Sequence, residues 1–218
     1  MYRPQTKILP SLLAADCGDL AGGVARAAAS GADALHIDIM DGVFVPNISF
    51  GPDVVALARR VAPSFHRHVH LMMTRPDLYV AKFAAAGAQT LQVHIEADCD
   101  LHETLPAIRA AGMRPALVLN PETPVESAGP YLGETGEILV MTVHPGYGGQ
   151  KFIAECLPKI SWLRERAPEM DIMIDGGGNG ETIPLAAKAG ANMFVAGSYL
   201  FGQDDMAAAV AALRESLA

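Results

Sequence analysis

The segment His36-Ile37-Asp38-Ile39-Met40 carries two side chains that can transfer protons or bind a metal ion. Side chains of a β-strand alternate between its two faces, so His36, Asp38 and Met40 share one face. An imidazole and a carboxylate are costly to bury unless a metal ion or a substrate engages them. The pattern indicates acid/base or metal chemistry, and the alternative is a hydrogen-bonded pair that only supports the fold.

A second segment places His66, His68 and His70 on one face of another predicted strand. Only His70 lies near the end of that strand, so it is the candidate ligand. His66 and His68 are expected to be hydrogen-bonded structural residues. A site made of all three is disfavoured, because side chains two and four residues apart spread over about 13 Å along a strand.

Asp175 opens a glycine-rich stretch, Gly176-Gly177-Gly178. Taken alone, an aspartate before glycine is typical of a helix cap or a turn. Together with Asp38 it supplies a second carboxylate that can approach a bound molecule from the opposite face, and the joint presence of the two favours a functional role over a turn.

Glycine-rich loops occur at three places, in residues 146–149, 176–178 and 197–198. Glycine lets backbone N–H groups approach an anion, so the three loops together predict a phosphate site. A single loop of this kind would be an ordinary tight turn. None matches the Walker pattern, and none follows the first strand as a dinucleotide site requires.

The elements that position these residues are predicted from a recurring glycine. Gly31, Gly87, Gly112 and Gly190 each close an alanine-rich stretch and precede a short apolar run, which indicates helix, turn, strand. The units are about 26 residues long. The predicted strands are 8–13, 34–40, 65–72, 90–94, 114–119, 137–143, 171–174 and 193–196.

Eight alternating strands and helices favour a (β/α)8 TIM barrel of the α/β class over an open doubly wound sheet. No linker divides the chain, so residues 1–218 are expected to form one domain. In such a barrel the reactive side chains lie at the carboxyl ends of the strands and in the loops that follow. Asp38 and Asp175 then lie on different arcs of the barrel and can face a bound molecule from two sides.

The charge and cysteine content of the chain argue against several classes of function. The chain has 16 basic and 24 acidic residues without long runs of either sign, which argues against nucleic-acid or membrane binding. Its three cysteines form no CxxC pair, so a reducing cytoplasm is expected rather than a disulfide framework. Alanine-rich helices are compatible with a homo-oligomer.

The chain resembles the ribulose-phosphate 3-epimerase family along nearly its whole length. The matching segments are residues 9–16 (LPSLLAAD), 36–47 (HIDIMDGVFVPN), 70–72 (HLM), 119–124 (LNPETP), 144–150 (HPGYGGQ), 175–177 (DGG) and 197–198 (GS). The resemblance implies an isomerase of the pentose phosphate pathway that interconverts ribulose 5-phosphate and xylulose 5-phosphate at C3, through an enediolate, by two-base proton transfer.

The resemblance also implies roles for individual residues. His36, Asp38, His70 and Asp175 would bind one divalent metal ion, and Asp38 and Asp175 would also be the catalytic acid/base pair. Zinc, iron(II), manganese and cobalt all suit these donors. The implied substrate-binding residues are Ser11, Met40, His70, Met72, Met141, Gly146, Tyr147, Gly148, Gly149, Asp175, Gly176, Gly177, Gly197 and Ser198.

Some positions depart from the family's commonest pattern and keep alternatives open. His144 stands where asparagine is frequent, Tyr147 replaces phenylalanine, and Gly178 replaces an aliphatic residue, which predicts a looser phosphate loop. The stretch 73–76 is similar to allulose-6-phosphate 3-epimerases, which act on a six-carbon sugar. A non-catalytic phosphosugar-binding barrel is a further alternative, and an aldolase or decarboxylase would want a lysine at a strand end, to which only Lys151 comes close.

Overall fold

Eight parallel strands form the centre of the molecule in the computed structural model, which describes residues 4–217. The strands are β1 (Lys7–Pro10), β2 (Ala34–Met40), β3 (His66–Met72), β4 (Thr90–His94), β5 (Arg114–Leu119), β6 (Glu137–Met141), β7 (Asp171–Asp175) and β8 (Met193–Ala196). The helices are α1 (Leu20–Ala29), α2 (Pro52–Val61), α3 (Val80–Ala86), α4 (Leu101–Ala110), α5 (Leu157–Arg166), α6 (Thr182–Ala189), α7 (Ser198–Phe201) and α8 (Met206–Glu215).

The strands β2 to β8 pair in chain order, and β1 pairs with β8. A parallel bridge between Ser11 and His36 joins the remaining edges of β1 and β2. The predicted (β/α)8 barrel is therefore confirmed. Between β5 and β6 the connection is a 3-10 helix, Val125–Tyr131, instead of an α-helix.

The packing confirms the predicted alternation of the β2 side chains between the two faces of the strand. Ile37 and Ile39 belong to the large apolar cluster between the strands and the surrounding helices. His36 and Asp38 point to the inside of the barrel, where both are buried. The glycines that close the alanine-rich stretches all have positive φ angles: Gly31, Gly87, Gly112 and Gly190.

Four of the predicted strands have the bounds of the structure, and the others differ at their ends. The first was predicted over residues 8–13, but it ends at Pro10 because Leu12–Ala14 turn into a 3-10 helix. The Ser11 side chain accepts a hydrogen bond from the backbone N–H of Leu13 at the start of that turn. The sixth was predicted to reach Val143, but it ends at Met141.

Within residues 4–217, none of the helices combines the length and the apolar character that crossing a membrane would need.

Candidate active site

A cavity of about 600 Å³ opens at the carboxyl ends of the strands. It is lined by Asp38 of β2, by Asp175 at the end of β7, and by Ser11, which directly follows β1. The carboxyl ends of all parallel strands meet at this side of a barrel, which is why residues far apart in sequence share one cavity.

Two histidines and two aspartates converge at the base of the cavity. His36, Asp38, His70 and Asp175 each offer one potential ligand atom, and these atoms lie within 4.8 Å of one another. Nδ1 of His70 lies 3.1 Å from Oδ1 of Asp38 and 3.7 Å from Oδ2 of Asp175. Nδ1 of His36 lies 3.4 Å from Oδ2 of Asp38.

The charges in this cluster change the proton affinity of each member. Burial by itself would lower the pKa of His36, but the carboxylates of Asp38 and Asp175 raise it to about 9. Burial lowers the pKa of His70 to about 4, although Asp38 acts in the opposite sense. The two carboxylates therefore favour a positive charge at the centre of the cluster.

The same residues fit a divalent metal ion. Nδ1 of His36 is buried and has no hydrogen-bond partner among the described residues. Two imidazoles and two carboxylates form a donor set that zinc and other first-row divalent metals accept. A buried nitrogen that faces two carboxylates without a partner is what a ligand atom of such an ion would look like before the ion binds.

Ser11 and three methionines complete the inner part of the cavity. The Ser11 hydroxyl donates a hydrogen bond of 2.6 Å to Oδ2 of Asp38, which fixes the orientation of that carboxylate. Met40, Met72 and Met141 line the cavity and are almost fully buried. Their thioethers provide a polarizable wall that carries no acidic proton.

The glycine-rich loops that were predicted to bind phosphate form one side of the cavity. Gly178 is packed more tightly than its sequence suggested. A Cβ atom at this position would lie 2.3 Å from the carbonyl oxygen of Val195 on β8, so the expected loosening of the loop is wrong. The absence of a side chain here allows two backbones to approach each other.

The other two departures from the family pattern lie at the rim. The Tyr147 hydroxyl donates a hydrogen bond of 2.7 Å to the carbonyl oxygen of Pro46, which joins the loop after β6 to the loop after β2. The Asn47 side chain donates a second such bond, of 2.8 Å, to the carbonyl of Gly146. His144 pairs with Glu122 on the surface and does not line the cavity.

Every residue predicted to bind substrate lines the cavity except His70, which is fully buried behind it. His66 and His68 lie deeper, where they contact Thr90 and Glu137 as structural partners. The cavity is also lined by residues that were not among the predicted substrate-binding or catalytic residues: Leu13, Ala14, Val143, Pro145, Gln150, Lys151, Phe152, Gly178, Asn179, Thr182, Val195 and Tyr199.

Sequence reasoning also missed Gln92, His94 and Glu96: Gln92 and His94 contact the two clustered histidines, His36 and His70, and Glu96 contacts His94. The alternation rule that singled out the second strand could have found Gln92 and His94, which lie on β4, but not Glu96, which follows it. Thr90, Gln92 and His94 occupy alternate positions of β4, and all three are fully buried polar side chains.

Comparison with known proteins gives concordant matches. The model of the ribulose-phosphate 3 epimerase family matches residues 7–201. A ribulose-phosphate 3-epimerase of Bacillus subtilis (strain 168) is 45% identical over 215 residues, which cover 96% of this chain and 99% of the relative. The cytoplasmic isoform of Oryza sativa subsp. japonica is 44% identical over 215 residues, with 97% and 94% covered.

More distant solved structures share the barrel. The crystal structure of KGPDC from Streptococcus mutans superposes with a TM-score of 0.76 at 15% identity, covering 97% of each chain. A 3-hexulose-6-phosphate synthase superposes with a TM-score of 0.68 at 20% identity, covering 97% of this chain and 100% of the other. At these identities the likeness concerns the fold alone.

Proposed function

The chain belongs to the ribulose-phosphate 3-epimerase family, and we propose that Asp38 and Asp175 move the C3 proton of its substrate at a divalent metal centre. It is an isomerase that interconverts D-ribulose 5-phosphate and D-xylulose 5-phosphate. The observation that carries the proposed site is the convergence of four donor atoms within 4.8 Å at the base of a phosphosugar-sized cavity.

Asp38 and Asp175 are the acid/base pair of the proposed reaction. One carboxylate removes the C3 proton of the 2-ketose and leaves an enediolate, and the other returns a proton on the opposite face. Inversion needs a group on each face, because a single base would return the proton to the side it came from. Ser11 holds Asp38 in position through the bond of 2.6 Å.

The metal ion would be held by His36, Asp38, His70 and Asp175. When bound, a divalent cation supplies Lewis-acid stabilisation of the negative charge that develops on the enediolate oxygens. Zinc, iron(II), manganese and cobalt all fit two imidazoles and two carboxylates.

The remaining lining residues bind and enclose the sugar phosphate. Met40, Met72 and Met141 pack beside the reacting carbons and exclude water. The glycine loops and Ser198 hold the phosphate through backbone N–H groups, which suits a protein whose net charge is −8. The substrate is the partner this site requires, and self-association of the chain stays a prediction that light scattering would measure.

An allulose 6-phosphate epimerase on the same scaffold is the second candidate, and one observation weakens it. The segment that resembles the hexose enzymes includes Arg75, which pairs with Asp77 on the surface through bonds of 3.0 and 2.7 Å. Arg75 does not line the cavity. Lys151 does, from the long loop after β6, but it does not stand at a strand end as an aldolase lysine would.

The test is turnover of ribulose 5-phosphate and, separately, of allulose 6-phosphate by the metal-loaded protein. We expect the higher kcat/KM for the pentose phosphate. A preference for the hexose phosphate would assign the chain to the second candidate, and failure to turn over either sugar would indicate a non-catalytic barrel. In active preparations, Asp38→Asn and Asp175→Asn should each reduce kcat by at least about 10³-fold while the fold is retained.

A further inference from the structure

Two side chains of β4 contact Nε2 of His36 and Nε2 of His70, the two histidines of the cluster at the base of the cavity. Oε1 of Gln92 lies 3.1 Å from Nε2 of His36, and Nε2 of His94 lies 2.8 Å from Nε2 of His70. We propose that two hydrogen-bond relays through β4 fix the tautomers of these histidines and keep Nδ1 of each free for the metal ion. This inference rests on the proposed metal-dependent function.

The first relay begins at Glu96. Its Oε1 accepts hydrogen bonds from the backbone N–H of Asn120, at 2.9 Å, and from the hydroxyl of Thr123. Its Oε2 lies 3.1 Å from Nδ1 of His94. Burial alone would raise the pKa of the Glu96 carboxyl, but the bonds from His94, Thr123 and Asn120 lower it. Glu96 is therefore an ionised group that can only accept.

The proton positions along this relay follow from that constraint. Since Glu96 only accepts, Nδ1 of His94 donates to it, and Nε2 of the neutral His94 ring must accept. Nε2 of His70 therefore carries the proton that bridges the 2.8 Å gap. Nδ1 of His70 is left with a lone pair, 3.1 Å from Oδ1 of Asp38. Two lone pairs at that distance repel unless a cation lies between them.

The second relay begins at Glu137, which is fully buried. Burial would raise its pKa, but the charges of His68 and Arg114, together with the hydrogen bonds, lower it to about 2. Nε2 of Gln92 donates to Oε1 of this carboxylate at 2.8 Å, so the carbonyl oxygen of Gln92 faces His36. Nε2 of His36 therefore donates to Gln92.

That donation accounts for the unpartnered atom in the cluster. In the neutral form of His36 that can bind a metal ion, the proton is on Nε2 and the lone pair is on Nδ1, the buried atom that has no hydrogen-bond partner among the described residues. Both relays thus begin at a carboxylate and pass through a residue of β4 to a clustered histidine. Gln92 and His94 are two positions apart, so the alternation of one strand delivers both partners to the same side.

Substitution of Glu96 by glutamine reverses the direction of hydrogen-bond donation along the first relay, while the size of the side chain hardly changes. Oε1 of the amide continues to accept from Asn120 and Thr123, so the amide NH₂ faces His94 and turns Nδ1 of that ring into an acceptor. His94 then donates to His70, whose proton moves to Nδ1 and must be displaced by the metal ion. A merely structural role for Glu96 would not change metal retention in this way.

The experiment measures release of cobalt(II) from the loaded full-length protein into excess chelator, followed by absorbance. We expect Glu96→Gln to release the ion about 10- to 100-fold faster than the wild type. Glu134→Gln is the matched control, because Glu134 pairs with Nδ1 of His102 at 2.8 Å on the surface. It should release cobalt at the wild-type rate.

A second pair of variants covers the case in which Glu96→Gln does not fold. His94→Phe keeps a ring but removes the acceptor, and it should speed cobalt release to a similar degree. His94→Gln restores a carbonyl that can accept from His70, and its release rate should return towards that of the wild type. Thermal midpoints of the metal-free proteins separate this effect from a general loss of stability.

The possible outcomes distinguish the relay from the proposed function. If the wild type retains cobalt and the folded Glu96→Gln or His94→Phe variants retain it equally well, the relay is wrong and the metal centre stands. If the wild type does not retain any of the proposed divalent ions, the proposed metal centre is wrong, and the proposed relay is then wrong as well.

Discussion

A carboxylate oxygen of Asp38 and one of Asp175 lie within 4.8 Å of each other, although β2 and β7 are not neighbours in the sheet. Burial would raise the pKa of Asp38, but His36 and His70 lower it well below its usual range. Burial and then the charge of Asp38 raise the pKa of Asp175 to about 7. The pair therefore holds unequal proton affinities at one site, which is the condition that acid/base chemistry exploits.

Ser11→Ala should slow the reaction by loosening Asp38. The hydroxyl donates a hydrogen bond of 2.6 Å to Oδ2 of that carboxylate. Loss of a hydrogen bond to a charged group costs about 1.5–3 kcal/mol. We expect kcat to fall about 10- to 100-fold in steady-state assays. Ser216→Ala, which removes a hydroxyl bonded to the carbonyl of Leu213, is the control and should leave kcat unchanged.

Tyr147→Phe tests the link between the two rim loops. The variant removes the bond of 2.7 Å to the carbonyl of Pro46 and leaves the ring in place. Because Tyr147 lines the outer part of the cavity, we expect KM for the phosphosugar to rise several-fold with kcat nearly unchanged. An unaltered KM would mean that the hydroxyl does not order the loops.

Gly178→Ala should destabilise the protein, because its Cβ would lie 2.3 Å from the carbonyl oxygen of Val195. A shift of the loop after β7 would relieve the contact at a cost of about 2 kcal/mol. Thermal unfolding should show Tm lowered by about 4–8 °C. Gly180→Ala is the control, since the nearest atom to its Cβ would be the Tyr199 hydroxyl at 3.6 Å, and its Tm should stay close to that of the wild type.

The buried Glu137 predicts a loss of stability in acid. It faces His68 at 3.2 Å and Arg114 at 3.7 Å, while Arg114 also pairs with Asp171, which lies 4.0 Å from Lys7. Its pKa is lowered from 4.5 to about 2 in the folded state. The contribution, at most about 3 kcal/mol, is present above the unfolded-state pKa and is lost as the pH falls through the folded-state pKa.

Glu137→Gln removes that contribution. Urea unfolding at neutral pH should show a lower free energy of unfolding than the wild type, by up to about 3 kcal/mol, because His68 and Arg114 lose their buried partner. The difference between the two proteins should shrink as the pH is lowered from about 4.5 towards about 2. A difference that is independent of pH would show that Glu137 is not ionised in the folded protein.

Most of the fold could be predicted because its signals are local. Glycines at helix ends and short apolar runs marked the strands, and β2, β4, β5 and β8 were predicted with the bounds of the structure. The first strand was predicted too long because Leu12–Ala14 are as apolar as a strand. The hydrogen bond from the Leu13 N–H to Ser11, which starts the turn there, is not visible as an apolar pattern.

Residues of the candidate site were predictable where an ionisable side chain lies near the carboxyl end of a predicted strand, as for Asp38, His70 and Asp175. The hydrogen-bond partners of Gln92 and His94 were not predictable, because hydrogen bonds between side chains on different strands leave no local pattern. His94 and Gln92 lie opposite β3, and their partners are set by the parallel register of the barrel. The tight packing of Gly178 likewise depends on the backbone of β8, which the sequence does not place.

In the proposed mechanism, Asp38 and Asp175 act on the two opposite faces of C3. The most direct measurement is the position of deuterium after the wild-type protein converts ribulose 5-phosphate in D₂O, stopped at low conversion. We expect xylulose 5-phosphate that carries deuterium at C3, while the recovered ribulose 5-phosphate remains protonated there. Product without deuterium, or recovered substrate labelled as quickly as product forms, would contradict it.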